Sequence, residues 1–281
     1  MPSLQASAQT ARPGSRLFMK SAKYFAIGKI TARNQLAYLY EMLLRSLFIL
    51  VILYVLIQLW RVTYEGQSSL AISGFTFQQM VWYLIFAESI VLSCPQMALK
   101  IEGEVKSGDI GYQLTRPVSY LLFQYVSYLG EALLRLAITF SVGCCLGVVL
   151  FGWPALGWGW PSFLVTAFGS LTLYYILNMI VALCAFWVEE TRGIEFVYQK
   201  IVFIIGGMML PPEMMPDAMR TVCSWLPFQS IVYASAKTAV RFDPCSLLSA
   251  LGIQWLWISL CGALLAYMYR RGVRKLNVNG G

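Results

Sequence analysis

Chemistry in a protein depends on groups that move protons, hold metals or attack electrophiles, and this chain is poor in them. It contains no histidine and only 13 Asp and Glu among 281 residues. Without histidine there is no Ser-His-Asp or Cys-His nucleophile, no histidine metal site and no HExxH zinc signature. No GxxxxGK[ST] phosphate loop is present, so the chain has no P-loop route to ATP hydrolysis, and no GxSxG elbow occurs either. Asp109, Asp217 and Asp243 all fall in expected loops, which leaves no aspartyl pair inside a span.

What remains is a handful of charges in unusual places. Glu88 lies in the middle of an apolar run, where a carboxylate is costly and turns inward toward a partner or a water-filled path. Two roles stand open for it: a contact on a translocation path, leaning toward cationic or hydrogen-bonding cargo, or a structural hydrogen bond to another helix. Glu131 and Arg135 are four apart, so they share a helix face and pair, with Arg135 snorkelling to the interface. Gly143-Cys-Cys-Leu-Gly147 matches GxxxG, a spacing for close helix packing. Of seven cysteines, Cys94, Cys144, Cys145, Cys184 and Cys261 sit in apolar segments and read as small hydrophobes. Cys223 and Cys245 lie in the expected outer region, where an oxidising compartment would let them pair.

These residues need a scaffold, and the composition says which solvent it has. Hydrophobic residues make up 58% of the chain and charged ones 12%, about half the charge a soluble domain carries. The bilayer is the expected surroundings. A net charge of +8 raises the question of nucleic acid, but the basic residues are sorted by side. Only Arg61, Arg220, Lys237 and Arg241 fall outside the expected spans on one side, and Arg135 within one. The other Lys and Arg lie on the opposite side, the positive-inside signature of a membrane protein with no nucleic-acid partner.

The pattern predicts an all-α polytopic membrane protein with six transmembrane helices. Residues 1–14 read as a disordered cytosolic lead. Residues 15–41 read as an interfacial amphipathic helix, with Arg16, Lys20 and Lys23 on one face and Phe18, Ala22 and Phe25 on the other. Residues 42–281 form the membrane domain. Its spans are expected at Ser46 to Trp60 (extending back to Met42), Phe77 to Leu99, Glu131 to Phe151, Phe163 to Trp187, Phe196 to Leu210 and Leu247 to Tyr269. A charged loop covers residues 100–117. Pro227 divides an apolar stretch too short to cross, so residues 206–245 read as an outer re-entrant helical hairpin between spans five and six. Trp60, Trp82, Trp153, Trp158, Trp160 and Trp225 fall at outer ends, as in an interfacial aromatic belt.

The loop after the second span runs Ile101-Glu-Gly-Glu-Val-Lys-Ser-Gly-Asp-Ile-Gly-Tyr-Gln-Leu-Thr-Arg-Pro-Val-Ser119. It resembles the cytosolic loop of ABC-2 type transporter permeases, in which an acidic residue precedes S-G-D-I and then L-x-R-P-V-S. Gly206-Gly207, Pro211-Pro212, Met215-Pro216 and Leu226-Pro227-Phe228 resemble the outer hairpin of the same family. The terminal Arg270-Arg-Gly-Val-Arg-Lys275 fits its uncharacterised branch paired with a separate ATPase. The resemblance implies a permease subunit of an ATP-driven exporter, with no enzymatic site or cofactor of its own. ATP and Mg would be bound by cytosolic ABC ATPase partners, and a second permease chain, identical or related, would complete a dimer. It places the protein in the inner (plasma) membrane as a multi-pass protein with both termini cytosolic and lipid around it. Carried over by motif, ATPase coupling falls on Glu102, Glu104, Ser107, Gly108, Asp109 and Arg116. Met208, Met209, Met214 and Met215 near the hairpin suit amphipathic cargo or lipid contact. The alternative is a polytopic scaffold or channel not powered by ATP.

Overall fold

The structure, a computed structural model, describes residues 13–37, 39–66, 71–188 and 190–279. Most of the expected N-terminal lead, residues 1–12, lies outside these, and Pro13 and Gly14 already belong to the first helix. In chain order the elements are α1 (Pro13–Leu36), α2 (Leu39–Glu65), a two-stranded antiparallel hairpin of β1 (Ala71–Ile72) and β2 (Phe75–Thr76), α3 (Phe77–Ser93), α4 (Met97–Lys106), α5 (Asp109–Leu114), α6 (Tyr120–Phe151), α7 (Gly159–Leu183), α8 (Arg192–Ile205), α9 (Asp217–Ser224), α10 (Tyr233–Val240) and α11 (Pro244–Asn279).

Among the described residues, five helical runs are long and apolar enough to cross a bilayer: Tyr40–Glu65, Phe77–Lys106, Tyr120–Phe151, Gly159–Phe186 and Pro244–Lys275. Two of them form the centre. Every residue of α3 from Met80 to Ile90 is buried, and α7 is buried along most of its length, as expected of helices that are apolar all round. A capping box at Thr76 and Gln79 starts α3, and Pro95, which lacks an N–H, separates it from α4. The other three long helices keep one side exposed, with Val51, Leu133, Val149, Leu248 and Leu256 facing outward.

Small residues set the spacing between these layers. A Cβ on Gly143 would stand 3.0 Å from Ile85 Cγ2, and one on Gly147 would stand 2.8 Å from Ile85 Cδ1 and 2.9 Å from Trp82. The GxxxG pair thus packs α6 against α3 within the chain. Beside it Phe86, Phe140, Trp160 and Phe163 form an aromatic cluster, with the Phe86 and Phe163 centroids 4.6 Å apart. Helix α1 crosses α6 where Gly28 meets Gly130, leaving Phe25 and Ile30 exposed beside Lys23 and Lys29. The side chains of Arg16, Phe18, Lys20 and Ala22 lie outside the described residues.

Several expectations change. The charged loop of residues 100–117 is mostly helix, made by α4, a turn at Ser107 and Gly108, and α5. The third span starts at Tyr120, so Glu131 and Arg135 sit about 17 Å inside α6 rather than at its beginning. Trp60 and Trp82 are buried in the core, whereas Trp153, Trp158 and Trp225 are exposed as an interfacial belt requires.

The largest change is the fifth span. Helix α8 stops after 14 residues, about 21 Å, against a hydrocarbon core about 30 Å thick. Gly206, Gly207 at φ +78° and then Pro211-Pro212 cannot prolong it. The chain makes a 3₁₀ turn at Pro212–Met214, α9 and a second 3₁₀ turn at Pro227–Ser230, and then re-enters as α10. Tyr233 N donates to Gly206 O at 3.1 Å, so α10 begins where α8 ends. Ser235, Ala236, Thr238 and Ala239 are buried, and Ala239 reaches the Gly159 end of α7.

Candidate functional site

The chemistry gathers at the basic end of the bundle and in a cavity just above it. Glu102 and Glu104, two apart on the short helix α4, reach different neighbours. Glu102 is 5% exposed. One of its oxygens accepts from Thr191 N at 3.1 Å and from Thr191 Oγ1, and the other meets Lys106 Nζ one turn on. Thr191 is buried and immediately precedes α8. Glu104 Oε2 accepts from Tyr120 Oη at 2.8 Å and Gln124 Nε2 at 3.3 Å, both in the first turns of α6. Gln124 in turn accepts from Lys100 Nζ at 3.1 Å. Two carboxylates therefore bolt α4 to the starts of α6 and α8.

The other residues of the motif face outward. Gly108 takes φ +79° between α4 and α5, a conformation that suits glycine, and a Cβ there would meet nothing. Ser107 Oγ donates to Asp109 Oδ2 at 2.7 Å, and Asp109 opens α5, where a negative charge is favoured. Arg116 lies over the Tyr112 ring, 5.2 Å from its centroid. Ser107, Gly108, Asp109, Tyr112 and Arg116 are all exposed. The six coupling candidates thus divide into an inner pair that grips the spans and an outer group open to a partner.

A cavity of about 990 Å³ opens between α1, α2, the break between α3 and α4, α6 and α8. Lys100, Glu131, Arg135 and Lys200 supply its charges, and Phe48, Val91, Leu92 and Phe203 are among its apolar walls. Arg135 and Glu131 form an ion pair through Nη2 and Oε1. Glu88 is fully buried and neither carboxylate oxygen has a hydrogen-bond partner. It does not line the cavity. Val91 and Leu92, three and four residues on and so on its side of α3, do.

At the far end, Gly207 O accepts from Tyr83 Oη on α3. Pro212 opens the turn carrying Glu213, which pairs with Lys237 at 2.7 Å and accepts from Tyr233 Oη. Burial opposes ionisation of Glu213, but the bonds from Lys237 and Tyr233 outweigh it and hold the carboxyl below its usual range. Pro227 begins the second turn, and Gln254 Nε2 ties Ser230 O to Thr166 O at 2.9 and 3.1 Å. Cys223 is a buried free thiol and Cys245 an exposed one, so the two are not joined.

The sequence that builds these helices matches one family. The profile described as ABC-2 family transporter protein matches residues 47–280. The chain belongs to the ABC-2 transporter family. It is accordingly a multi-pass membrane protein and a permease of ABC type. No curated protein matches it. Several residues of this ABC-2 permease escaped the sequence reading. Thr191, Tyr120, Gln124 and Gln254 are neutral and carry no charge signal, and Tyr112 looked like an ordinary loop aromatic.

Proposed function

We propose that this permease is the transmembrane subunit of an ATP-driven exporter, powered by a separate cytosolic ATPase that binds at α4 and α5. One observation carries the reading: the helices that Glu102 and Glu104 grip are walls of the cavity. Glu102 holds the start of α8, Glu104 holds the start of α6, and both helices line the same space.

In this reading the basic end is cytosolic and both termini lie there. The ATPase docks on the exposed group Ser107, Gly108, Asp109 and Arg116, with Tyr112 beside them. When ATP and Mg close the ATPase subunits, α5 moves, and the two carboxylates pass the displacement to α6 and α8. The cavity between those helices changes width, which is the rigid-body rocking that alternating access needs. A second permease chain completes the path in the inner membrane. Glu88, buried beside the cavity wall with no partner, is a polar point further along it.

The broken helix supports a sixth crossing. Helices α8 and α10 meet end to end through Tyr233 N and Gly206 O, and together they hold 14 and 8 helical residues. At about 1.5 Å per residue this spans about 33 Å, enough for a membrane. In this reading the two pieces form the fifth of six crossings, and residues 207–232 loop out from the junction between them, so the hairpin interrupts span five instead of following it.

The test is purification of the full chain from native membranes in mild detergent, with identification of what accompanies it. A subunit with a Walker A phosphate loop should co-purify, and its ATPase activity should change with cargo. A chain that conducts or transports alone after such a subunit is removed would refute the proposal.

A further inference from the structure

The cavity has a chemical bias that points to its occupant. Of its four charged residues, Glu131 and Arg135 pair with each other. Lys100 bonds only the neutral Gln124 amide, and Lys200 lies 5.1 Å from the centre of the Phe196 ring. Among the described residues neither lysine meets a carboxylate. Two cationic groups on the walls, both on exposed residues, thus stand without a carboxylate partner among the described residues.

Two buried donors reinforce this. Tyr128 Oη, on a residue 1% exposed, and Arg135 Nε have no hydrogen-bond partner, and both residues line the cavity. Beside Tyr128 lies only the sulfur of Cys94, a weak acceptor whose own thiol donates to Ile90 O. Buried polar atoms are normally satisfied, and an arginine Nε can only donate. What these groups lack is a strong acceptor. Glu88, which leaned toward cationic cargo in the sequence, is not on the wall and supplies no counter-charge there.

The remaining surface is mixed: Phe48, Val91, Leu92, Ile138, Val202 and Phe203 form an apolar wall, and neutral polar residues such as Asn34, Gln35, Ser127 and Gln199 line the rest. A volume of about 990 Å³ stands at the upper end of small-molecule sites and far exceeds a bare ion. Taking the cavity as the transport path of the preceding reading, we infer that it binds an amphipath with an anionic head, a phosphate or carboxylate, and an apolar tail. The head meets Lys100, Lys200 and the Tyr128 hydroxyl, and the tail lies against the apolar wall. The shared chemistry has two sources, an anionic lipid of the surrounding leaflet or a soluble single-chain amphipath.

The experiment uses the full chain in phosphatidylcholine nanodiscs. Pyrene-labelled phosphatidylglycerol and dodecyl phosphate are titrated, with dodecyltrimethylammonium and inorganic phosphate as comparisons. Both anionic amphipaths, or one of them, should bind at least about ten-fold more tightly than either comparison. Preference for the two-chain lipid assigns the source to the membrane, and preference for dodecyl phosphate assigns it to soluble cargo. Lys100→Gln with Lys200→Gln should weaken binding about ten-fold or more, the scale of a lost charge-assisted bond. Tyr128→Phe, which keeps the buried ring and so the fold, should weaken it a few-fold. Equal binding of dodecyltrimethylammonium, no binding of any probe, or unchanged binding in the folded double variant overturns the inference. Charge selectivity can fail while ATPase association and cargo-dependent hydrolysis persist, so this outcome is distinct from failure of the transport reading.

Discussion

The link from α4 to α8 can be tested at one carboxylate. Replacing Glu102 by Leu removes the acceptor of Thr191 N and Thr191 Oγ1, on a residue that is fully buried. Each stranded buried donor costs about 1–3 kcal/mol, so Glu102→Leu should destabilise the protein by about 2–5 kcal/mol. The other partner, Lys106, is 53% exposed at its side chain, so its charge is partly screened by solvent. Lys106→Met should therefore cost less than Glu102→Leu. The assay is reversible unfolding in mixed micelles at rising dodecyl sulfate fraction, followed by tryptophan fluorescence. A double-mutant cycle with Thr191→Val isolates the contact, and a coupling of about 1 kcal/mol or more is expected. Loss below about 1 kcal/mol for Glu102→Leu, or additivity within about 0.5 kcal/mol, would show that this carboxylate does not hold α8.

Three further outcomes are expected. Asp109→Lys with Arg116→Glu should abolish co-purification of the ATPase subunit while leaving stability within about 0.5 kcal/mol, since both side chains are exposed; retained association would remove the docking assignment. Gly147→Ala drives a Cβ to 2.8 Å from Ile85 and should cost about 1–3 kcal/mol by overpacking. Gly103→Ala, with open space around it, should be neutral or slightly stabilising in the same unfolding assay. The Glu213 carboxyl is held below its usual range in the folded state, so its stabilising contribution is whole above the ordinary carboxylate pKa and is lost as pH falls through the depressed value. Unfolding midpoints of the parent chain and Lys237→Met, compared between about pH 6 and pH 3, should converge at the acid end; a constant gap would count against the pair.

Much of the architecture was legible because the bilayer restricts the options. Long, mostly apolar runs in α2, α3, α6, α7 and α11 have one stable solution in lipid, and the family motif was visible in the order of a few Gly, Pro and charged residues. Gly143 and Gly147 suggest a close helix approach from their spacing, and only the structure identifies α3 as the neighbour. The helical nature of α4 and α5 was hidden because their dense charges and glycines resemble a solvated loop. The start of α6 was missed for a similar reason, since Tyr120 and Gln124 look interfacial until the hydrogen bonds to α4 are seen. The Gly-Gly and Pro-Pro breaks gave away the end of α8. That Tyr233 returns to Gly206 after a long excursion is a non-local fact, and nothing in the local pattern announces it. The inner and outer division of the coupling motif was equally hidden, because Glu102 and Glu104 look like Asp109 until Thr191 and Tyr120 stand opposite them.

The break between α8 and α10 bears on how the chain enters the membrane during synthesis. Helix α8, about 21 Å long and carrying Glu195 and Lys200, cannot be retained by lipid alone. The hairpin that follows is anchored by Gln254 of the last helix, which joins Ser230 to α7. The ribosome delivers that residue after α8, α9 and α10 have all emerged. The final stages of insertion thus run backward along the sequence, with α11 seating the pieces made before it, and a chain stopped before Gln254 would leave α8 and the segment after it without this tie.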